Sequence, residues 1–152
     1  MLSKKTKYAI KALVHLAKNY GGGPILIGTL SQKEKIPKKF LEAILLDLRK
    51  QGILASKMGA GGGYYLLKKP AEVQLSQVLR STGGPIALIP CVSINFYEKC
   101  DDCPDENICG IRDVMTEVRE ATLKILSTTT LEDILNREHK LNSLISNAKE
   151  KK

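Results

Sequence analysis

Residues 36–67 read IPKKFLEAILLDLRKQGILASKMGAGGGYYLL, and a change of period inside this stretch decides the fold. Phe40, Leu41, Ile44, Leu45 and Leu48 recur at helical spacing and predict one apolar stripe, assigned to the core. Ile36-Pro37 opens that helix, because proline in a first turn loses no intrahelical bond, and Gly52 is its expected stop. Beyond it, Ile53 to Lys57 and Tyr64 to Leu67 are short runs separated by Met58-Gly59-Ala60-Gly61-Gly62-Gly63. That pattern predicts a hairpin with a glycine-rich tip.

Working outward, Ala9, Ile10, Ala12, Leu13, Leu16, Ala17 and Tyr20 predict an amphipathic helix over about 4–20, halted by Gly21-Gly22-Gly23-Pro24. Ile25-Leu26-Ile27 reads as a short extended piece, followed by a helix from about Thr29 to Lys35. Two helices thus flank a tight turn ahead of the hairpin. Residues 74–80 predict another short helix, and Gly83-Gly84-Pro85 opens an irregular stretch to Gly110 that holds every cysteine. From Ile111 the helical period returns through Val114, Met115, Val118, Ala121, Ile125 and Leu126. A long helix of this kind is stable only with a partner surface, which predicts dimerisation. Thr130 is placed to cap Leu131 to Leu135, and the tail beyond reads as frayed helix or disorder.

The expected fold class is mainly α with a small β-hairpin. A winged helix-turn-helix domain covers 1–82, a cysteine-rich sensor loop 83–110, a dimerisation helix with its cap 111–135, and a basic tail 136–152. The chain has 152 residues, 43% hydrophobic and 26% charged, the balance of a soluble globular domain. No apolar run nears the roughly 20 residues that span a bilayer. Lys11 and Lys18 interrupt what would be a signal sequence, so a cytoplasmic protein is expected, without membrane association.

Net charge is +8, and its distribution is more telling than its sum. Residues 1–80 hold 15 Lys/Arg against 4 Asp/Glu, whereas residues 81–152 hold 9 against 12. The front half is built to meet a polyanion or is a solubilising lysine coat; the motifs favour the former. In a winged helix-turn-helix the recognition helix enters the major groove of double-stranded DNA by its N-terminal turns. Here that turn carries Lys38 and Lys39 for phosphates and Glu42 to accept from a cytosine amino group. Lys4, Lys33 and Lys35 are further backbone-contact candidates. The wing from Lys57 through Gly61 and Gly62 has almost no side chain at its tip and brings backbone close to the sugar-phosphate wall. A mononucleotide loop is excluded, because Tyr64-Tyr65 follows the glycines instead of Gly-Lys-Ser/Thr and a helix.

Cys91, Cys100, Cys103 and Cys109 form C-x8-C-x2-C-x5-C. In a cytoplasmic chain with an adequate core this predicts soft-metal ligation or a thiol switch rather than structural disulfides. Spacing alone leaves zinc and an iron–sulfur cluster both open. The two histidines, His15 and His139, lie far apart in sequence, and no hydrolytic site is expected.

The stretches Ile36-Pro-Lys-Lys-Phe-Leu-Glu, Leu48-Arg-Lys-Gln-Gly-Ile-Leu and Gly59-Ala-Gly-Gly-Gly-Tyr-Tyr-Leu, with the downstream cysteine loop, resemble the Rrf2 family of bacterial winged-helix regulators. That family includes the repressor of iron–sulfur assembly genes and the nitric-oxide-sensing repressor. The resemblance runs from about Leu2 to Leu135. It implies a homodimer through the long helix, a dyad-symmetric operator and a [2Fe–2S] or [4Fe–4S] cluster held by three cysteines, with Cys103 and Cys109 matching the last two and Cys91 or Cys100 the first. The family's fourth ligand is a histidine three residues past the last cysteine, or an aspartate in the partner's first helix. Arg112 and Lys7 stand at those places, and Cys100 is extra, so a four-cysteine site within one subunit is expected. Glu42 matches a sequence-discriminating glutamate, while Lys39 and Ala43 replace serine and glutamine and Met58 replaces an arginine of the wing. A different operator is expected.

The expected function is a dimeric DNA-binding regulator sensing redox, nitric oxide or iron–sulfur status through the cysteine loop. The alternatives are a regulator with structural zinc or a metal-free thiol switch and, from another class, a small iron–sulfur electron carrier.

Overall fold

The computed structural model describes residues 2–150, in the order α1 (Lys4–Lys18), α2 (Ile27–Glu34), α3 (Lys38–Lys50), β1 (Leu54–Lys57), β2 (Gly63–Leu66), α4 (Leu75–Thr82), α5 (Gly110–Thr128) and α6 (Leu131–Glu150). Met1, Lys151 and Lys152 lie outside the described residues, the last two being the end of the expected basic tail. One buried cluster joins Leu13 and Leu16 of α1, Leu30 of α2, Leu41, Ile44, Leu45 and Leu48 of α3, Leu54 and Leu66 of the hairpin, Val78 of α4 and Leu131 of α6.

Each element begins and ends for a local reason. The Ser3 hydroxyl accepts from the Thr6 amide at 3.1 Å and caps α1. The helix stops at Lys18, two residues short of Tyr20, because Asn19 turns out of helical geometry ahead of the glycines. Between α2 and α3, Lys35 adopts a left-handed conformation at φ 54°, and Ile36 N–H and O are both held by Ser31, at 3.0 and 2.6 Å. Pro37 is the N-cap of α3 rather than its first helical residue, and Gly52 at φ 69° ends the exit from it as expected.

The strands pair antiparallel with Leu54 opposite Leu66 and Lys57 opposite Gly63. Ile25 adds a single reciprocal bridge to Tyr64, both N–H···O contacts being 2.8 Å. This ties the root of the wing to the segment before α2.

Two larger sequence-based expectations also need correction. Phe40 is not core: it is 39% exposed and makes an edge-to-face contact with Tyr8 at 5.6 Å between ring centroids, because it lies at the flank of the apolar stripe. The segment after Leu135 is not frayed: α6 continues to Glu150. Its first turn is locked by Thr130 and Asp133, the Asp133 carboxylate accepting from Thr130 N–H and the Thr130 hydroxyl accepting from Asp133 N–H. Leu131 enters the winged-helix core, and Lys18 pairs with Glu138 at 2.6 Å, so α6 runs back along α1.

α5 differs from every other helix. None of its 19 residues is buried, and Ile111, Val114, Val118 and Ile125 are exposed at successive steps of three, four and seven residues, along one helix face. Among the described residues no helix is long and apolar enough to cross a membrane.

Candidate nucleic-acid interface and cysteine loop

The candidate interface begins with the turn that joins α2 and α3. Because α3 buries Leu41, Ile44, Leu45 and Leu48, its opposite face, 100° per residue away, presents Lys39, Glu42, Ala43, Leu46 and Lys50. All five are exposed, as are Lys38 in the first turn, Lys33 on α2 and Lys35 in the turn between. Lys33, Lys35, Lys38 and Lys39 are therefore gathered within one tight turn and its flanking helices, and none of them has an ion-pair partner among the described residues. Four uncompensated cations on adjoining turns make this the end of the molecule best suited to an anion.

Lys4 is not brought to that turn. Lys5 pairs with Asp47 at 2.6 Å while Tyr8 meets Phe40, so α1 runs antiparallel to α3 and Lys4 lies beside the C-terminal half of α3. The nine helical rises from Lys38 to Asp47 amount to about 13.5 Å. Lys5 beside Asp47 holds its carboxyl below the usual carboxylate range, through a hydrogen bond first and charge second. At the other end of α1, Glu34 takes Nδ1 of His15 at 2.7 Å and lies 3.7 Å from Lys11, which also donates to the Glu34 carbonyl at 2.5 Å. His15 thus ties α1 to α2.

At the wing, Lys57, Met58 and Gly61 are exposed, and Met58 is 92% accessible. Gly62 is buried: its N–H donates to the Gly59 carbonyl at 3.0 Å, and a Cβ there would stand 2.3 Å from the Lys57 carbonyl. Gly62 therefore shapes the tip and leaves the outer surface to Gly61.

The four cysteines are divided. Cys91 is buried in a 3-10 turn at Pro90–Val92, whereas Cys100, Cys103 and Cys109 are half-exposed and all four are free thiols. Cys109 is the N-cap of α5, and backbone amides of Arg112 and Ile111, with the Cys103 thiol, pull its pKa down. Cys103 moves the other way, pushed up by partial loss of solvent and by the neighbouring Cys109 thiol.

Soft thiols suit zinc or an iron–sulfur cluster by chemistry. The arrangement does not: among the described residues no three Cys, His, Asp or Glu side chains converge where one ion could sit. The loop as folded here does not fit a four-thiolate centre.

The loop is fastened to α5 at its front. Arg119 donates to the Val92 carbonyl at 2.5 Å and Arg112 to the Cys91 carbonyl at 3.4 Å. Glu106 lies 3.8 Å from Arg112 and accepts from the Tyr97 hydroxyl at 2.8 Å. These two loop anchors are absent from the sequence-based expectations, because nothing in the sequence pairs either arginine with a carbonyl 21 or 27 residues away.

Comparison with known proteins agrees with this layout. Residues 2–137 match the family model Rrf2, described as iron-dependent transcriptional regulator. The chain is 46% identical over 138 residues to a Rhodobacter capsulatus protein described as an rrf2-like HTH-type transcriptional regulator, covering 89% of this chain and 92% of that one. It is 26% identical over 141 residues to the HTH-type transcriptional regulator IscR of Pectobacterium atrosepticum, covering 93% and 82%. The structure of CymR, the global cysteine regulator of Bacillus subtilis, superposes with a TM-score of 0.75 at 28% identity over 90% of this chain and 97% of that one.

Proposed function

This chain belongs to the Rrf2 family of DNA-binding helix-turn-helix transcriptional regulators, and from that premise we propose that it acts as a homodimer whose two α3 helices read a dyad-symmetric operator under control of the cysteine loop. The family is one of regulators and not of enzymes. The observation that carries the dimer is α5, on which no residue is fully buried and whose exposed apolar row is a cost in water that a second α5 removes. Pairing there sets the spacing of two reading heads, which for a dyad site is roughly 34 Å.

Lys33, Lys38, Lys39 and Lys57 neutralise phosphates, Glu42 accepts from a base edge, and Gly61 lets the wing backbone approach. Lys4 serves a phosphate farther along the groove, and Gly62 holds the tip in shape. Control enters through the loop because Cys91 and Val92 are held by arginines of the same helix that forms the dimer. A change of thiol state then shifts α5 and with it the two α3 helices.

The sequence-based expectation is a [2Fe–2S] or [4Fe–4S] cluster, with zinc the lesser possibility. The half-exposed free thiols of Cys100, Cys103 and Cys109 favour a second reading, a cluster-free thiol switch. Anaerobic purification followed by iron, sulfide and zinc analysis separates the three: iron with sulfide supports the cluster, zinc alone a structural metal, and none of them the switch. For the dimer, Val118→Lys is expected to halve the mass in analytical ultracentrifugation with helix content retained; an unchanged mass contradicts the α5 interface. An electron-carrier role would require redox-active iron with no affinity for duplex DNA.

A further inference from the structure

On the outward face of α3, charge alternates with something that charge does not explain. Lys39, Glu42 and Lys50 are joined there by Ala43 and Leu46, both exposed, the latter at 38%. Exposed apolar side chains at the centre of a cationic face are wasted on phosphate. Base edges in the major groove offer one prominent apolar group, the 5-methyl of thymine, which alanine and other small apolar groups contact.

We propose that Ala43 reads a thymine 5-methyl group and that this makes it a specificity-determining residue, acting beside Glu42. The inference rests on α3 being the reading helix. Lys39 and Ala43 are one turn apart on the same ridge, so phosphate anchoring by Lys38 and Lys39 fixes how deeply Ala43 enters. Alanine reaches little beyond the backbone, so its contact requires the helix to seat fully in the groove. Glu42, the preceding residue, is suited to a cytosine amino group. The half-site is therefore expected to hold a thymine within one or two base steps of a cytosine read by Glu42. Leu46, one turn farther along, extends the same apolar wall and keeps water from the methyl.

The test uses the intact protein and duplexes selected by it from a random library at low salt. Each thymine of the selected half-site is replaced in turn by deoxyuridine, which removes the methyl and nothing else, symmetrically in both half-sites. Fluorescence anisotropy is expected to find one position where binding weakens about four-fold per half-site, the worth of one buried methyl. Ala43→Ser, which keeps size and helix, is expected to bind the thymine duplex more weakly and to lose the difference between thymine and deoxyuridine, with its salt dependence unchanged. Ala43→Val supplies a second variant and is expected to retain methyl sensitivity.

If no position responds to the methyl, or if Ala43→Ser responds like the parent, the inference is overturned while α3 remains the reading helix. Failure of the parent to enrich any duplex overturns both.

Discussion

Arg119 on α5 reaches across 27 residues of sequence to donate its Nη1 to the carbonyl of Val92 at 2.5 Å. Its side chain is only 17% exposed, and it also pairs with the neighbouring Glu120. Val92 is itself buried, so its carbonyl has little access to water as an alternative partner. This contact makes the start of the cysteine loop and the exposed helix one mechanical unit.

Arg119→Ala is expected to lower stability by about 1–3 kcal/mol, because it strands a buried acceptor that had a charged donor. More diagnostically, Cys91 is expected to react severalfold faster with an aromatic disulfide reagent, while Cys100 and Cys103 keep their rates. Equal rates at Cys91 in parent and variant would show that the anchor is not what protects it.

Lys35 separates stability from binding. At φ 54° it occupies a conformation that costs a side-chain-bearing residue about 1 kcal/mol, which glycine avoids. Lys35→Gly is therefore expected to raise the urea midpoint slightly. The same change removes one cation from the α2–α3 turn and is expected to weaken DNA binding, with the salt slope reduced by about 0.9. A variant that gains stability and keeps its slope would remove Lys35 from the interface.

Gly63 is the wing's least replaceable position. It sits at φ 139°, and a Cβ would lie 2.3 Å from the Ile25 carbonyl oxygen, inside the bridge between Ile25 and Tyr64. Gly63→Ala is expected to cost on the order of 2–3 kcal/mol in chemical denaturation and to free the wing from the segment before α2. Gly61→Ala, strained at φ 69° but facing open space, is expected to cost less.

The pair of Lys5 and Asp47 gives a pH signature of definite sign. The Asp47 pKa is lowered in the folded state, so the bond stabilises the protein above the unfolded value near 4 and is lost as pH falls through the folded value. Both side chains are about one-third exposed, at 36% and 34%, so solvent screens the effect to below about 1 kcal/mol. Asp47→Asn is expected to unfold at lower urea than the parent at pH 7, with the gap closing as pH falls through the folded value of Asp47. A gap that persists in acid would mean that the carboxylate charge is not its source.

Much of this molecule was readable in advance where one local rule sufficed. Leu41, Ile44, Leu45 and Leu48 declare their stripe by spacing alone, and Gly52 declares its turn because few other residues accept its φ. Phe40 was misplaced because period locates a stripe better than its edge, and a ring at that edge can lean on Tyr8 instead of entering the core. The length of α6 was hidden for a different reason. Its tail carries Leu141, Leu144 and Ile145 at helical spacing, a signal the sequence offered, but what holds its first half is distant: Leu131 in the α1–α3 core and Glu138 on Lys18. The loop anchors were invisible for the same reason, since nothing in the sequence pairs Arg119 with a carbonyl so far away. Of the expected DNA-contacting residues, those on α2, its turn and α3 were legible together, whereas Lys4 and Gly62 needed the direction of α1 and the packing of the tip.

The proposed function requires the cations around the α2–α3 turn to grip the backbone of a duplex. Its most direct test is the affinity of the intact protein for a duplex, measured across a range of salt for the parent and for Lys38→Ala/Lys39→Ala. The parent is expected to show a steep fall of log K with log salt, and the double variant a slope shallower by about 1.8, the release of two counterions. Identical slopes, or no binding by the parent even at low salt, would contradict it.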